Sequence, residues 1–324
     1  MVRLFTFEDA RDLLLKGKQR GYRFLLSKLS FSGTSRTISA FDKSAQFSSN
    51  WWDIPYIQKH WNKRISGNET QGYEAYFVNS VLGKRSNLKL LSIGSGSCEH
   101  EIRFAGYRNF KMITCVDLSP FNIELAQKKA SKKNLTNIEF ICANLANLDL
   151  SKKQFDIVMF NASLHHFKKV DSLLSNTILP LLPQDGILLI NEFVGANRLQ
   201  FPREQIKTIN QAIKLIPKRL RRRLNTSLYK NSFSGSGLVR MYIADPSECV
   251  DSYNIMPAIH KHFKVLDERP YGGNILMSAL KDIAHNFIEE SDETKSVLDK
   301  LIAVEDDYLK KHPSDFVFGV YQKK

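Results

Sequence analysis

The sequence predicts an α/β fold: a doubly wound, seven-stranded, mostly parallel sheet whose last strand runs antiparallel, with a helical N-terminal preface and an insertion late in the chain. Three observations carry this. A short apolar run at 90–93 ends abruptly in Gly94-Ser95-Gly96. A second run, Met112-Ile113-Thr114-Cys115-Val116, ends in Asp117, about twenty residues further on. Further apolar runs then alternate with helical patterns, the rhythm of strand–helix–strand units that build a parallel sheet.

Taken in order, residues 7–29 read as an amphipathic helix with Leu13, Leu14, Phe24, Leu25 and Leu29 at its apolar positions. Residues 30–50, rich in Ser, Thr and Gly, read as a loop. Trp51, Trp52, Tyr56 and Trp61 form an aromatic cluster on a short helix starting near Pro55, because proline at the first helical turn loses no intrahelical hydrogen bond. Ser66-Gly67-Asn68 ends that helix, and another runs over 73–82. This preface either covers the sheet edge or roofs a ligand; Arg64 and Tyr73 are residue types that bind a carboxylate.

The first strand is 90–93, with a helix from Glu99, and the second is 113–116. Ser119 is the N-cap and Pro120 the first residue of a helix over 121–132. Strand three is 138–142, followed by Asn144-Leu145, and strand four is 155–160, followed by Asn161-Ala162-Ser163-Leu164-His165-His166. A helix over 170–179 and a turn at 183–186 lead to strand five, 187–190, which ends at Asn191-Glu192. Residues 197–260 break the rhythm with a helix at 204–216, the basic run Lys218-Arg219-Leu220-Arg221-Arg222-Arg223 and a Gly/Ser loop at 232–237. Strand six resumes at 263–266, helical patterns cover 275–287 and 294–311, and an alternating last strand covers 316–321. The expected divisions are therefore a preface (1–87), an α/β core (88–196), an inserted lid (197–260) and a completion of the core (261–324).

With 324 residues, 43% of them hydrophobic, the chain can bury a sizeable core. No run reaches the roughly 18 apolar residues a membrane span requires. The start, MVRLFTFEDARD, carries acids and no apolar signal core, and the four cysteines contain no C-x-x-C pair, so a cytoplasmic protein is expected. A net charge of +14 favours acidic partners without choosing among nucleic acid, a phosphorylated substrate and an anionic membrane surface.

The chemistry converges on the strand ends. Glycines at 94 and 96 allow a tight turn and a close ligand approach. A carboxylate at the tip of the second strand is placed to hold an adenosine ribose diol. A dinucleotide fingerprint would need glycine at position 99, where Glu99 stands.

The ordered pattern resembles class I S-adenosylmethionine (SAM) methyltransferases, whose first motif is G-x-G-x-G; Cys98 departs from it at the third glycine. The resemblance covers residues 88–196 well and the closing segment in pattern only. It implies a Rossmann-like fold with SAM as cofactor and S-adenosylhomocysteine as product. By resemblance, Gly94, Ser95 and Gly96 approach the amino-acid part of the cofactor, and Asp117, with Leu118 beside it, takes the ribose hydroxyls. Asn144 meets the adenine amino group with Leu145 beside the ring, and Asn161 opens the loop that faces the methyl group. Arg64 and Tyr73 join this cofactor set as candidate carboxylate ligands. NEFVGANRLQFPREQ, DPSE and RPYGGN look like a bacterial subgroup associated with small-molecule and saccharide modification. Each residue also has a structural reading: Asp117 as a helix cap, Asn144-Leu145 as a commonplace dipeptide.

Methyl transfer from a sulfonium is an in-line displacement that needs alignment and sometimes a base. His165, His166 and Glu192 are the candidates, with His166 first because it lies farther along the exit loop. No metal-ligand array is visible. The expected acceptor is an O or N atom of a small polar metabolite or saccharide, and the preface and insertion are expected to form its chamber. Two other functions compete. A nucleic-acid methyltransferase would suit the charge, but base-amino enzymes carry Asn/Asp-Pro-Pro-aromatic where this chain has Asn161-Ala162-Ser163-Leu164, and the basic run reads as a solvated helix end. A non-catalytic SAM-fold or other nucleotide-binding protein is the third.

Overall fold

Seven strands form one sheet in the order β3-β2-β1-β4-β5-β7-β6. They are β1 (Leu88–Ile93), β2 (Phe110–Asp117), β3 (Ile138–Cys142), β4 (Ile157–Asn161), β5 (Ile187–Phe193), β6 (Phe263–Gly272) and β7 (Phe316–Lys323). The computed structural model describes residues 2–7, 9, 49–150 and 153–324. The helix expected over 7–29, except Phe7 and Asp9, and the loop up to residue 48 lie outside the described residues.

The pairs β1–β2, β2–β3, β1–β4 and β4–β5 are parallel. Lys323 at the end of β7 donates its N–H to the Gly186 carbonyl just before β5 (3.0 Å), the arrangement of an antiparallel neighbour. The mostly parallel, Rossmann-like sheet expected from the sequence is thus observed. β1, β4 and β5 read as near-continuous apolar runs because helices cover both faces. β6 continues beyond the expected four residues through Asp267, Glu268, Arg269 and Pro270. As the sheet's edge it tolerates charges and a proline that an interior strand would not.

Where the sequence reading draws four consecutive segments, the contacts group the chain into two units. One comprises 71–194, 249–269 and 317–324 and holds nearly all of the sheet. Its helix Pro120–Lys132 starts as expected, with Ser119 Oγ accepting from Asn122 N–H (3.2 Å). Two expected helices are not uniform. The 73–82 helix is α-helical only over Tyr73–Tyr76 and widens to a π-helix over Phe77–Leu82. The 170–179 helix passes through a π-helical stretch, Leu174–Ile178, and ends in a short α-helical turn, Leu179–Leu181, whose second residue is Pro180.

The other unit comprises 1–70, 195–248 and 270–316, so it takes residues 1–70 of the preface and 197–248 of the insertion, while 71–87 and 249–260 fall in the first. Trp51 is buried, its ring 4.4 Å from that of Trp61 and 5.3 Å from that of Phe316. Trp52 is exposed, and Tyr56 donates to Asp299 Oδ1 (2.6 Å). The helix Asp292–Leu309 carries the fully buried Glu305, which accepts N–H groups from Gly273 (2.9 Å), Ile275 (2.8 Å) and Leu276 (3.0 Å). Gly272 and Gly273 have φ of 99° and 86°, and a Cβ on them would strike Glu305 and Phe316. This explains the paired glycines of RPYGGN structurally.

Asp315 is buried beside this network. Gln205 Nε2 donates both to Asp315 Oδ2 (2.7 Å) and to the Asn274 carbonyl (2.9 Å). Burial, only partly offset by the Gln205 hydrogen bond, pushes the Asp315 carboxyl from 3.8 up to about 7. Between those values the unfolded chain has released a proton that the folded chain retains, so raising the pH across that window withdraws stability. The amount is on the order of 4 kcal/mol in the limit of full burial. Urea denaturation of Asp315→Asn should show a shallower loss of stability from pH 4 to 7 than the parent; an identical pH slope in the two proteins would refute the assignment.

Candidate functional site

Order reverses between β1 and β4, so their carboxyl ends open a crevice of the kind where α/β sheets bind ligands. The loop leaving β1 is fastened to the end of β2. Gly94 and Ser95 N–H groups donate to the Val116 carbonyl (2.8 and 3.1 Å), and Gly96 N–H donates to Asp117 Oδ2 (2.8 Å). Asp117 Oδ1 accepts from Ser119 N–H (2.8 Å), so one carboxylate both latches the glycine loop and organises the start of the next helix. Its helix-capping and ligand-holding readings are therefore compatible. Leu118 beside it is half-buried.

The two glycines serve different needs. Gly94 (φ 69°) lies so close to the loop after β4 that a Cβ would sit 2.6 Å from Ser163 Cβ. A Cβ on Gly96 (φ 54°) would meet no atom of the described residues within 4 Å, which leaves space among them for a ligand against the backbone. Cys98, at the third motif position, keeps a left-handed backbone (φ 56°, ψ 35°) despite its side chain, which is fully buried. Beneath the loop, Glu101 Oε1 accepts from Ser92 Oγ (2.6 Å). Burial pushes the Glu101 carboxyl up, and Glu101 Oε2 has no hydrogen-bond partner among the described residues. The sequence offered no signal for this buried acid beyond its place in the first turn after the loop.

Asn144 Oδ1 accepts from Ala146 N–H (3.0 Å), forming a short turn after β3; Asn144 is exposed and Leu145 packs against the core. Asn161 at the end of β4 receives two hydrogen bonds on Oδ1, from the Tyr73 hydroxyl (3.0 Å) and from Asn191 Nδ2 (2.9 Å). Tyr73 is fixed by its neighbour Glu74, whose buried carboxylate takes hydrogen bonds from His100 Nδ1 and Arg103 Nη1 (both 2.8 Å) on the helix Glu99–Ala105. Burial pushes the Glu74 carboxyl up, but the His100 hydrogen bond and charge, with help from Arg103, outweigh it and hold it below its ordinary value.

The histidines and Glu192 do not stand alike at the strand ends. Glu192 is completely buried. Its Oε2 accepts N–H groups from Ser163 (2.8 Å) and Leu164 (2.6 Å); its Oε1 accepts from Phe193 N–H (2.8 Å) and pairs with His165 Nδ1. That environment corrects the expectation of a substrate-facing carboxylate: Glu192 is enclosed and occupied by the exit loop itself. His165 is buried, and the half-buried His166 has its ring 4.2 Å from that of His165. Arg64 belongs to the other unit, where its guanidinium pairs with Asp306 and its Nε donates to His60 Nε2 (3.0 Å). Its charge is met by that carboxylate.

Residues 84–233 match the family model described as a methyltransferase domain. A release factor glutamine methyltransferase of Francisella tularensis is 30% identical over 112 residues, covering 34% of this chain and 38% of that protein. The chain thus spans well under half the length of that relative. Among solved structures, phosphoethanolamine N-methyltransferase 2 of Haemonchus contortus, in complex with S-adenosyl-L-methionine, is 16% identical with a TM-score of 0.48, covering 78% of this chain and 52% of that one. Geranyl diphosphate C-methyltransferase of Streptomyces coelicolor is 10% identical with a TM-score of 0.47, covering 78% and 76%.

The glycine geometry separates two variants. Gly94→Ala forces a backbone shift against Ser163 and should destabilise the fold by about 2–4 kcal/mol, read from the urea midpoint. Gly96→Ala meets no atom of the described residues and should cost only about 1 kcal/mol of backbone strain. Equal losses in the two would show that the loop is not held against Ser163.

Proposed function

We propose that this chain, whose residues 84–233 match a methyltransferase domain, is a class I S-adenosylmethionine-dependent methyltransferase that transfers the methyl group to an oxygen or nitrogen atom of a small polar metabolite or saccharide. The observation that carries the reading is the latch between Gly96 N–H and Asp117 Oδ2 at the sheet's point of reversal, with open space over Gly96. The residues present fit the cofactor: a glycine turn without a side chain for its amino-acid end, and a carboxylate one strand away for the ribose diol. When bound, SAM supplies a methyl already activated by the sulfonium.

The chain's own residues then align and deprotonate the acceptor. Asn161, with Oδ1 taken by Tyr73 and Asn191, is turned so that its N–H groups donate to a lone pair on the acceptor. Glu192 Oε1 pairs with His165 Nδ1, and in this proposal the other ring nitrogen, Nε2, takes the acceptor's proton. This makes His165, in place of the His166 that the sequence put first, the proposed base and Glu192 its positioning residue, with the His166 ring 4.2 Å away. A cytoplasmic location is part of the proposal, resting on a sequence whose four cysteines form no C-x-x-C pair. No helix among the described residues is long and apolar enough to cross a membrane.

Calorimetry with S-adenosylhomocysteine tests the cofactor site. Asp117→Ala should lose a charge-assisted contact and weaken binding by roughly 1.5–3 kcal/mol. Thermal stabilisation by S-adenosylhomocysteine but not by NAD is expected, and the reverse would sink the reading. With an acceptor identified from a panel of small polar metabolites and saccharides, His165→Ala should slow single-turnover transfer to a hydroxyl by about 10²–10⁴-fold while S-adenosylhomocysteine affinity holds. Unchanged rates in the His165, His166 and Glu192 variants would leave alignment alone as the account.

A further inference from the structure

The basic run at 218–223 is not the solvated helix end that its sequence resembles. After a 3-10 turn, Lys218–Arg221, the chain folds back on itself in a two-chain ribbon. Arg222 and Tyr229 form an antiparallel bridge, Arg223 N–H donates to the Leu228 carbonyl and Lys230 N–H to the Arg221 carbonyl (both 2.8 Å). Residues 217–231 contain no acidic side chain.

Two of the ribbon's cations point inward and fasten it. Arg223, 2% exposed, pairs with Asp282 at 2.8 Å. Lys230, 1% exposed, donates to the carbonyls of Ser278 (2.6 Å) and Lys281 (2.7 Å). Asn286 Nδ2 adds bonds to the carbonyls of Leu220 and Arg222 (3.1 and 2.9 Å). Burying charge is costly, and these contacts offset the cost while fixing the ribbon's backbone. Arg219 is engaged by Glu293.

What the ribbon presents outward is then defined. Lys218 and Arg222 are exposed, Lys218 Nζ lies 5.5 Å from the centroid of the Tyr229 ring, Tyr229 is 39% exposed and Leu228 49% exposed. A partner with phosphates alone would use the cations and gain nothing from an exposed leucine. Cations beside an aliphatic and an aromatic side chain match the boundary of an anionic bilayer, where phosphates meet acyl chains and tyrosine rings settle at headgroup level. We propose that the 217–231 ribbon docks the protein peripherally on anionic phospholipid membrane. The proposal does not depend on the methyl-transfer reading.

Cosedimentation of the full chain with vesicles of phosphatidylcholine alone, or with roughly 30 mol% phosphatidylglycerol, tests it. Binding to the anionic vesicles only is expected, weakening as salt rises. The variant Lys218→Glu/Arg222→Glu should lower partitioning at least about tenfold. Leu228→Ser/Tyr229→Ser, at unchanged charge, should lower it about three- to tenfold. Melting temperature confirms that each variant folds. Binding that ignores phosphatidylglycerol overturns the proposal. So does an undiminished serine variant, and so does displacement from the vesicles by tRNA together with tighter binding to tRNA, which would make the ribbon a nucleic-acid contact.

Discussion

A buried carboxylate with four donors around it sets the geometry of the strand ends. Glu192 gathers Ser163 N–H, Leu164 N–H, Phe193 N–H and His165 Nδ1, so the exit of β4, the end of β5 and the imidazole hang on one side chain. Backbone N–H groups turned away from the sheet ladder must find acceptors or cost about 1–3 kcal/mol each. An apolar residue here would leave three such groups stranded. The chain therefore places an acid in an otherwise apolar strand, and its role is to hold the loop in which His165 sits.

The same economy governs the glycine loop. Its backbone turns through left-handed conformations at Gly94, Gly96 and Cys98. At Gly94 the glycine is required by the crowding of Ser163, whereas at Gly96 it spares a backbone strain of roughly 1 kcal/mol and keeps a side chain out of the space over the turn. At Cys98 the chain carries a strain of roughly 1 kcal/mol in exchange for a buried thiol that fills the space beneath the loop. Asp117 holds this turn in register by accepting from Gly96 and Ser119 together.

In the second unit, charges that composition alone counts as surface turn inward. Glu305 and Asp315 stand among backbone N–H groups and Gln205, and Arg223 and Lys230 stand against Asp282 and carbonyls. Each ties segments far apart in sequence. Two acids and two bases turn inward together, so they leave the net charge of +14 unchanged elsewhere, while the outward residues of the 217–231 ribbon are few but firmly placed.

By itself, the sequence determined the rhythm of strands and helices, the glycine turn, the acid at the tip of β2 and the cap at Ser119. These follow from local rules: apolar period, conformational freedom at glycine, and side chains that satisfy the first helical N–H groups. Strand β3 matched to the residue, whereas β6 ran longer because only its edge position permits charges and Pro270. Tertiary structure decided what each polar side chain faces. Glu192 and His166 look equivalent along the chain, yet the first is enclosed by the loop it supports. Arg64, a plausible carboxylate ligand by type, has Asp306 as its partner. Tyr73 reaches Asn161 because Glu74 is pinned by His100 and Arg103. Such pairings join residues from about 25 to more than 200 positions apart, and local periodicity cannot encode them, because they depend on which buried donors and acceptors the packed chain leaves to be satisfied.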